Sequence, residues 1–239
     1  MDIAGFLKTS LIEWPGKITS VIFTSGCNFR CPFCHNADIV LGRGFSRIPE
    51  KRIFADLLKR KNWIDAVAIT GGEPTLQADL PKFLKQLKEL KLETMLETNG
   101  SSPQVVKKLI ENKLVDYWAM DIKGNFDNYQ NFVGGGGDVG DIRETMDLII
   151  KSGVEYQFRT TVVPELHNLE NLKELATSIR EMWEKKGNEK RKRWFLQQFR
   201  PLNTLDKKYL KIKPYSDDKM KEFCRELQKI IPQTFLRGV

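Results

Sequence analysis

Three of the four cysteines crowd into eight residues, within Gly26-Cys27-Asn28-Phe29-Arg30-Cys31-Pro32-Phe33-Cys34-His35-Asn36. Thiolates are soft ligands that suit zinc and iron–sulfur clusters, and a loop with the spacing C-x3-C-x2-C can turn three of them towards one metal centre. Structural zinc usually takes four closed ligands in two pairs, and His35 follows Cys34 without a favourable spacing. A four-iron cluster on three cysteines keeps one iron open, so the spacing indicates a catalytic centre.

Polar residues close several of the strands that the sequence predicts. After the second strand comes Thr70-Gly71-Gly72-Glu73-Pro74, where glycines let the backbone approach a ligand and Glu73 can accept a hydrogen bond from an ammonium group. The following strands end in or contain Glu97, Asn99, Asp121, Lys123 and Arg159. Charges inside apolar runs are costly unless they are used, and barrel strands carry active residues at their C-terminal ends. We expect these residues to share one pocket with the cysteines.

The elements that position these residues alternate along the chain. Short apolar runs alternate with amphipathic stretches from residue 18 onwards, which predicts βα units on a parallel sheet. The predicted strands are Ile18–Thr24, Ala66–Thr70, Glu93–Thr98, Tyr117–Lys123, Tyr156–Val163 and Trp194–Phe199. The predicted helices are Pro49–Lys61, Leu80–Leu90, Pro103–Asn112, Asp141–Ser152, Leu169–Lys185 and Ser216–Ile230, before a tail at Thr234–Val239. The fold class is therefore α/β, with six strands in a partial barrel.

Composition restricts the remaining possibilities. The 239 residues fit one domain, the hydrophobic fraction of 41% is ordinary, and no apolar stretch is long enough to span a bilayer. The N-terminus lacks a secretory signal pattern, so we expect a cytoplasmic protein with no membrane partner. The net charge of +8 could favour nucleic acid, but the strongest basic run, residues 185–193, has only Trp194 beside it for base stacking. We interpret that run as a solvated loop and do not expect a nucleic-acid partner.

The cysteine loop, with the aromatic Phe33 before its last cysteine, resembles the signature loop of the radical S-adenosylmethionine (SAM) superfamily. Gly71-Gly72-Glu73-Pro74 resembles a second motif of that family. The resemblance implies a (β/α)6 TIM-like partial barrel over residues 1–239, with a cluster loop at 26–36 and a C-terminal helix and tail at 216–239. It also implies one [4Fe-4S] cluster on Cys27, Cys31 and Cys34, with SAM on the open iron and Phe33 near the adenine. Reduction would cleave SAM to a 5′-deoxyadenosyl radical.

Most of the chain resembles the activating enzymes of glycyl-radical proteins, from Ser10-Leu11-Ile12-Glu13-Trp14-Pro15-Gly16-Lys17 through Cys34-His35-Asn36 and Thr98-Asn99-Gly100 to Arg159. This resemblance implies that Lys123 contacts SAM, that Glu97 and Asp121 lie beside it, and that Asn99 and Arg159 belong to the same pocket. Some members also hold a monovalent cation there. Glu97 stands where we expect aspartate, so the resemblance does not decide whether this chain has the cation site. Gln198 or Arg200 would replace a histidine that the family often has.

Gln-Phe-Arg-Pro at residues 198–201, the short chain, and no cluster insert between Asn36 and Gly71 resemble the class that activates anaerobic ribonucleotide reductase. The implied partners are that glycyl-radical protein and a reduced flavodoxin or ferredoxin as electron donor. One alternative is a radical SAM enzyme for a small molecule or nucleoside, similar to 7-carboxy-7-deazaguanine synthase. Another is a metal-binding module without catalysis.

Four other features receive structural interpretations. Cys224 lies in an amphipathic stretch and is predicted to be a buried free thiol. His167 follows a strand on a loop, where we expect it to face solvent or to contact the start of a helix. Residues 134–137 are four consecutive glycines without a phosphate-loop lysine, which predicts a flexible turn. His35 is predicted to orient the loop or to hydrogen-bond a cluster sulfur.

Overall fold

The computed structural model describes residues 1–186 and 192–239, whose strands form one eight-stranded sheet in sequence order. Strands β2 to β8 run parallel, and β1 pairs with β2 in the antiparallel direction. Within the described residues, β1 and β8 are the two edges of the sheet, which is therefore not closed. The strands are β1 (Ile3–Ser10), β2 (Thr19–Thr24), β3 (Ala66–Gly71), β4 (Glu93–Thr98), β5 (Tyr117–Asp121), β6 (Glu155–Val162), β7 (Trp194–Gln198) and β8 (Thr234–Arg237). This architecture confirms the predicted α/β class.

The six predicted strands correspond to β2 through β7, and the sheet has one further strand at each edge. The tail that we predicted at Thr234–Val239 is a strand, β8, over most of its length. In β1 only the first and last residues, Ile3 and Ser10, are buried, so the apolar signal of an inner strand is missing. The predicted strand Tyr117–Lys123 is shorter in the structure, because β5 ends at Asp121 and Lys123 lies just beyond it.

Helices follow the strands and cover one face of the sheet. They are α1 (Ala37–Leu41), α2 (Glu50–Arg60), α3 (Leu80–Glu89), α4 (Pro103–Glu111), α5 (Gln130–Val133), α6 (Val139–Lys151), α7 (Leu169–Lys186) and α8 (Asp217–Gln228). The larger ones match the predicted helices, since their apolar residues recur at helical spacing and are buried against the sheet, as Leu80, Phe83, Leu84 and Leu87 are in α3. The short helices α1 and α5 were not predicted.

The inner face of the sheet carries a second, smaller core. Its members are mostly compact side chains, Val21, Ala66, Ala68, Met95 and Ala119, together with Trp14 and Tyr117. The ring centroids of Trp14 and Tyr117 lie 5.0 Å apart, and the two rings close the partial barrel at the N-terminal ends of its parallel strands. Small inner residues leave space above them, and the sheet opens there into a cavity of about 650 Å³ at the C-terminal ends of the strands.

The segment that carries Trp14 also joins the two edges of the sheet. Arg237, on β8, donates hydrogen bonds from Nη2 to the carbonyl oxygens of Ile12 (2.7 Å) and Glu13 (3.1 Å). The sheet edge is thereby tied to the residues that precede β2. Among the described residues, no helix is both long and apolar enough to cross a membrane. Most of the basic run at 185–193, predicted as a solvated loop, lies outside the described residues.

Candidate active site

Every residue that the sequence assigns to the site lines the same cavity. The structure brings together Phe33, Cys27, Cys31, Cys34, Gly71, Gly72, Glu73, Glu97, Asn99, Asp121, Lys123, Arg159, Gln198 and Arg200. The lining residues that sequence reasoning missed include Glu13, Thr70 and Arg237. Glu13 belongs to the segment that resembles the activating enzymes, which is the signal that could have identified it.

The three cysteines are free thiols at the wall of this cavity, on the loop that follows β2. Burial raises the pKa of all three, to about 12 for Cys31. Thiols in this environment ionise only when a cation compensates the lost solvation, as a bound metal does. Among the described residues, no group of three histidine, cysteine, aspartate or glutamate side chains is arranged to bind a single metal ion. A [4Fe-4S] cluster does not need that arrangement, because each thiolate ligates a different iron. The three cysteines therefore fit such a cluster.

The glycine run at 134–137, which we predicted to be a flexible turn, packs against the cysteine loop. Arg30 donates from its backbone N to the carbonyl of Val133 over 2.7 Å. Gly136 has φ +78, and a Cβ there would lie 2.3 Å from the carbonyl oxygen of Asn28. Glycine is needed because a backbone passes directly over the loop that holds the thiols. Sequence alone showed the glycines but not the surface against which they pack.

Gly72 joins the end of β3 to the start of the same loop. Its backbone N donates to the carbonyl of Thr24 over 2.8 Å, and the N of Glu73 donates to the carbonyl of Gly26 over 2.8 Å. A Cβ on Gly72 would lie only 1.8 Å from the Gly26 oxygen. The motif therefore lets two backbones meet where the cysteine loop begins.

The carboxylate of Glu73 is fully buried and joins three loops. Its oxygens accept hydrogen bonds from Thr75 N (3.1 Å), Thr75 Oγ1 (2.6 Å), Thr98 Oγ1 (2.7 Å) and Asn99 N (2.6 Å). Burial raises the pKa of Glu73, and these four hydrogen bonds oppose the rise. Asn99 in turn donates from Nδ2 to Asn28 Oδ1 over 2.9 Å. We predicted that Glu73 can accept from an external ammonium. In this structure its carboxylate positions the end of β4 beside the turn that follows β3, and Asn99 extends the contact to the cysteine loop.

A chain of paired charges crosses four strand ends. Arg159 donates from Nη1 and Nη2 to the two oxygens of Glu97 (2.8 Å each) and from Nε to Asp121 Oδ1 (2.9 Å). Lys123 Nζ lies 2.9 Å from Asp121 Oδ2, and Thr70 Oγ1 donates to Glu97 Oε2 over 2.8 Å. We call this set, Thr70, Glu97, Arg159, Asp121 and Lys123, the charge ladder. The register of the parallel strands creates it, because Asp121 and Arg159 are paired neighbours on β5 and β6.

The ladder fixes the ionisation of its members. Burial by itself would raise the pKa of Asp121, but Arg159 and Lys123 lower it to about 2. Burial opposes the charged forms of Lys123 and Arg159 as well, yet the neighbouring carboxylates raise the pKa of both. All the ladder's cations are therefore held in their charged form.

His167 is buried and holds the backbone of Lys123, whereas we expected it to face solvent or to contact the start of a helix. It is 2% exposed, and burial lowers its pKa to about 4, so the ring is neutral at pH 7. Because Val163 N donates to its Nδ1 (3.1 Å), Nε2 carries the proton and donates to the Lys123 carbonyl (2.9 Å). Lys123 N donates to Tyr129 Oη over 3.2 Å. Both backbone groups of Lys123 are thus fixed by buried side chains.

The residues at the rim of the cavity differ in burial and in their hydrogen bonds. Phe33 is buried beside Tyr209, with ring centroids 6.4 Å apart. Gln198 donates from Nε2 to the Tyr215 carbonyl over 2.7 Å, while its buried Oε1 has no partner in the described structure. Arg200 and His35 are exposed at the cavity mouth. Of the two residues that could replace the family histidine, Gln198 has an oriented acceptor without a partner.

Cys224 is a buried free thiol, as predicted.

Known proteins match this chain over most of its length. The sequence profile of the radical SAM superfamily matches residues 21–179. A Methanocaldococcus jannaschii protein named as a candidate glycyl-radical enzyme activating enzyme is 32% identical over 242 aligned positions, 99% of this chain and 96% of that protein. The pyruvate formate-lyase-activating enzyme of Clostridium pasteurianum is 30% identical over 71% of this chain and 72% of its own length.

Solved structures share the fold. Streptococcus suis SuiB bound to S-adenosylmethionine has a TM-score of 0.70 at 21% identity, over 91% of this chain. This chain spans about half of SuiB, since the match covers 50% of that chain. A spore photoproduct lyase mutant has a TM-score of 0.68 at 14% identity, over 96% of this chain and 78% of its own. At these identities the likeness concerns the fold alone.

The close approach at Gly72 predicts that Gly72→Ala disrupts the cysteine loop. Overpacking of this kind costs about 1–3 kcal/mol, which lowers the melting temperature by roughly 2–10 °C for a chain of this size. The effect is measured as the melting temperature and as the iron content after anaerobic reconstitution, and both values should fall. Gly140→Ala is the matched control, because Gly140 is an exposed helical residue whose added Cβ would meet the end of the Asp138 side chain and no backbone atom of another loop. Equal behaviour of the two variants would contradict the prediction.

Proposed function

The chain belongs to the radical SAM superfamily, among its glycyl-radical-enzyme activating proteins, and on this premise we propose that it installs a glycyl radical on anaerobic ribonucleotide reductase. The observation that carries the proposal is the meeting of three free thiols and the charge ladder in one cavity. The family implies a [4Fe-4S] cluster and SAM as cofactors. The cavity of about 650 Å³ lies within the size range of small-molecule sites.

When bound, the cluster and SAM would supply one-electron reductive cleavage of SAM, and with it the means to remove a hydrogen atom from a glycine Cα of the partner. Cys27, Cys31 and Cys34 would hold the cluster, and Phe33 would pack against the adenine. The residues of this chain contribute binding, orientation and exclusion of water.

Lys123 is the residue that we assign to the SAM carboxylate. One hydrogen bond of its ammonium goes to Asp121, and the group has three donors in total. Its backbone is fixed by Tyr129 and His167, so the free donors point from a rigid support. The unsatisfied Oε1 of Gln198 offers an acceptor to a ribose hydroxyl or an ammonium group.

The partner's glycine would enter through the open end of the half-barrel. Ile12 and Leu202 lie at the cavity lining and are 76% and 64% exposed. Large apolar side chains exposed at the mouth of a pocket are typical of a surface that a partner covers. A loop of the partner seated on them would also shield bound SAM from solvent.

The residues do not fit an additional monovalent cation. Both oxygens of Glu97 accept from Arg159, and both oxygens of Asp121 are taken by Arg159 and Lys123. The two carboxylates are thus neutralised by two cationic side chains. We therefore assign no part of the reaction to a metal cation beside the ladder.

The direct test combines SAM cleavage with detection of the radical. After anaerobic reconstitution and reduction with dithionite, we expect 5′-deoxyadenosine from SAM and, with anaerobic ribonucleotide reductase added, a glycyl doublet in electron paramagnetic resonance. Cys31→Ala should form neither, because the cluster loses a ligand. The partner with its radical glycine changed to alanine should give no doublet.

Two outcomes would contradict the proposal. Absence of 5′-deoxyadenosine with a fully loaded cluster would exclude the radical chemistry. Cleavage of SAM without a doublet on this reductase would exclude the proposed partner, and the deazaguanine precursor and other glycyl-radical proteins would be tried as substrates.

The support of Lys123 predicts that His167→Phe weakens SAM binding. The phenyl ring keeps the contact with Phe132, whose ring centroid lies 4.9 Å from that of His167, but it removes both hydrogen bonds. Without these hydrogen bonds the backbone of Lys123 can shift, which weakens the hydrogen bond from its ammonium to SAM. A hydrogen bond to a charged group contributes about 1.5–3 kcal/mol, so we expect roughly a tenfold loss of SAM affinity in calorimetric titration. His167→Gln keeps a donor and an acceptor and should recover part of the loss.

The effect should pass through Lys123. In a Lys123→Ala background, His167→Phe is expected to change SAM affinity little further. An equal loss in both backgrounds would mean that His167 acts on the general stability of the protein.

A further inference from the structure

A lysine-bearing segment, residues 203–213, lies directly against the cysteine loop. Leu205 N donates to the carbonyl of Cys34 over 3.0 Å, and Asp206 N donates to the carbonyl of Pro32 over 2.9 Å. Asn203 Nδ2 donates to Asp38 Oδ2 of α1, the helix that follows the loop, over 3.1 Å. The segment is therefore attached to the backbone that carries the third thiol.

The inner and outer sides of this segment differ in character. On the inner side Tyr209 is buried and contacts Phe33, the aromatic of the cysteine loop. The outer side carries four exposed lysines, Lys207, Lys208, Lys211 and Lys213, and Leu210, which is 44% exposed. We call these five residues the lysine face.

Most of the charge on the lysine face is unpaired. Lys208 lies 2.8 Å from Glu165, and Asp206 caps the 3₁₀ helix Lys207–Lys211 by accepting from Lys208 N. None of the other three lysines forms an ion pair with any residue that the structure describes. The unpaired lysines attract an acidic protein surface, and Leu210 among them offers that surface a small apolar contact.

The proposed function requires an external electron donor to reach the cysteine loop. Each SAM cleavage consumes one electron, which has to enter the cluster from outside. Complexes that transfer electrons are small and transient, and charge complementarity steers their encounter. The cavity mouth has the apolar residues Ile12 and Leu202 for the glycyl partner, whereas the lysine face lies behind Cys34.

We propose that the lysine face is the docking surface for an acidic single-electron carrier protein of the flavodoxin or ferredoxin class. The inference rests on the proposed function only in requiring reduction of the cluster. In each encounter the carrier loses one electron, the cluster gains it, and the oxidised carrier dissociates. Because Tyr209, on the buried side of the segment, packs beside Phe33, a carrier docked on the lysine face lies close to the cysteine loop.

The test uses charge reversal on the reconstituted full chain. Lys207→Glu, Lys211→Glu and Lys213→Glu are combined in one variant. The control variant combines Lys82→Glu, Lys85→Glu and Lys107→Glu, three exposed helical lysines, and has the same net charge. Binding of oxidised flavodoxin and of oxidised ferredoxin is measured by calorimetric titration, and the lysine-face variant should bind the carrier at least about tenfold more weakly. Formation of 5′-deoxyadenosine from SAM is measured without any glycyl partner, with reduced flavodoxin, reduced ferredoxin or dithionite as the electron source.

We expect the lysine-face variant to lose at least about tenfold of its carrier-driven rate at low salt, and to lose most of the salt dependence of that rate. The dithionite-driven rate should match that of the unaltered protein, and the control variant should keep both rates. The readout needs no glycyl radical, so it stands even when the proposed partner is wrong.

Four results would overturn the proposal. The first is an equal loss of the carrier-driven rate in the control variant, and the second is a retained rate in the lysine-face variant. The third is that neither carrier supports SAM cleavage by the unaltered protein. A loss of glycyl-radical yield on the partner under dithionite, with SAM cleavage intact, would assign the face to the glycyl partner and also overturn it.

Discussion

The guanidinium of Arg159 is buried among the ends of four parallel strands, and the site depends on how its charge is satisfied. A buried cation is tolerated only with paired and well-oriented anions, and removal of one partner from such a pair typically costs 3–5 kcal/mol. Arg159 meets this requirement through Glu97 on β4 and Asp121 on β5. This pairing depends on the strand register. Because Asp121 also binds Lys123, the same register determines the position of Lys123 and the polarity of the cavity.

The surrounding structure serves the same geometry. Compact inner residues, such as Ala68 and Ala119, leave room above the core, and glycines at two places let loops approach the cysteine loop more closely than any side chain would allow. Glu73 joins two strand ends to that loop, while His167 and Tyr129 fix the backbone of Lys123. Pre-organised groups of this kind bind and orient a cofactor without rearrangement.

The chemistry of the site was predictable from the sequence, and its packing was not. Cysteine spacing, a Gly-Gly-Glu-Pro turn and charges at the ends of apolar runs are local signals, and they identified residues that share one cavity. The edge strands β1 and β8 carry little buried apolar surface, so their pattern is weak. His167 and Gly136 were misjudged because their roles depend on residues far away in the sequence, Lys123 and Asn28. The pairing of Arg159 with Glu97 required the strand order and register.

A double-mutant cycle on the ladder tests its central role most directly. SAM affinity would be titrated on the reconstituted protein, on Arg159→Gln, on Asp121→Asn and on the double variant. If the ladder acts as one unit that orients Lys123, each single change lowers the affinity by about tenfold or more, and the double variant is little worse than the weaker single. Losses that add in full would contradict this account, because they would mean that Arg159 and Asp121 contribute to SAM binding independently.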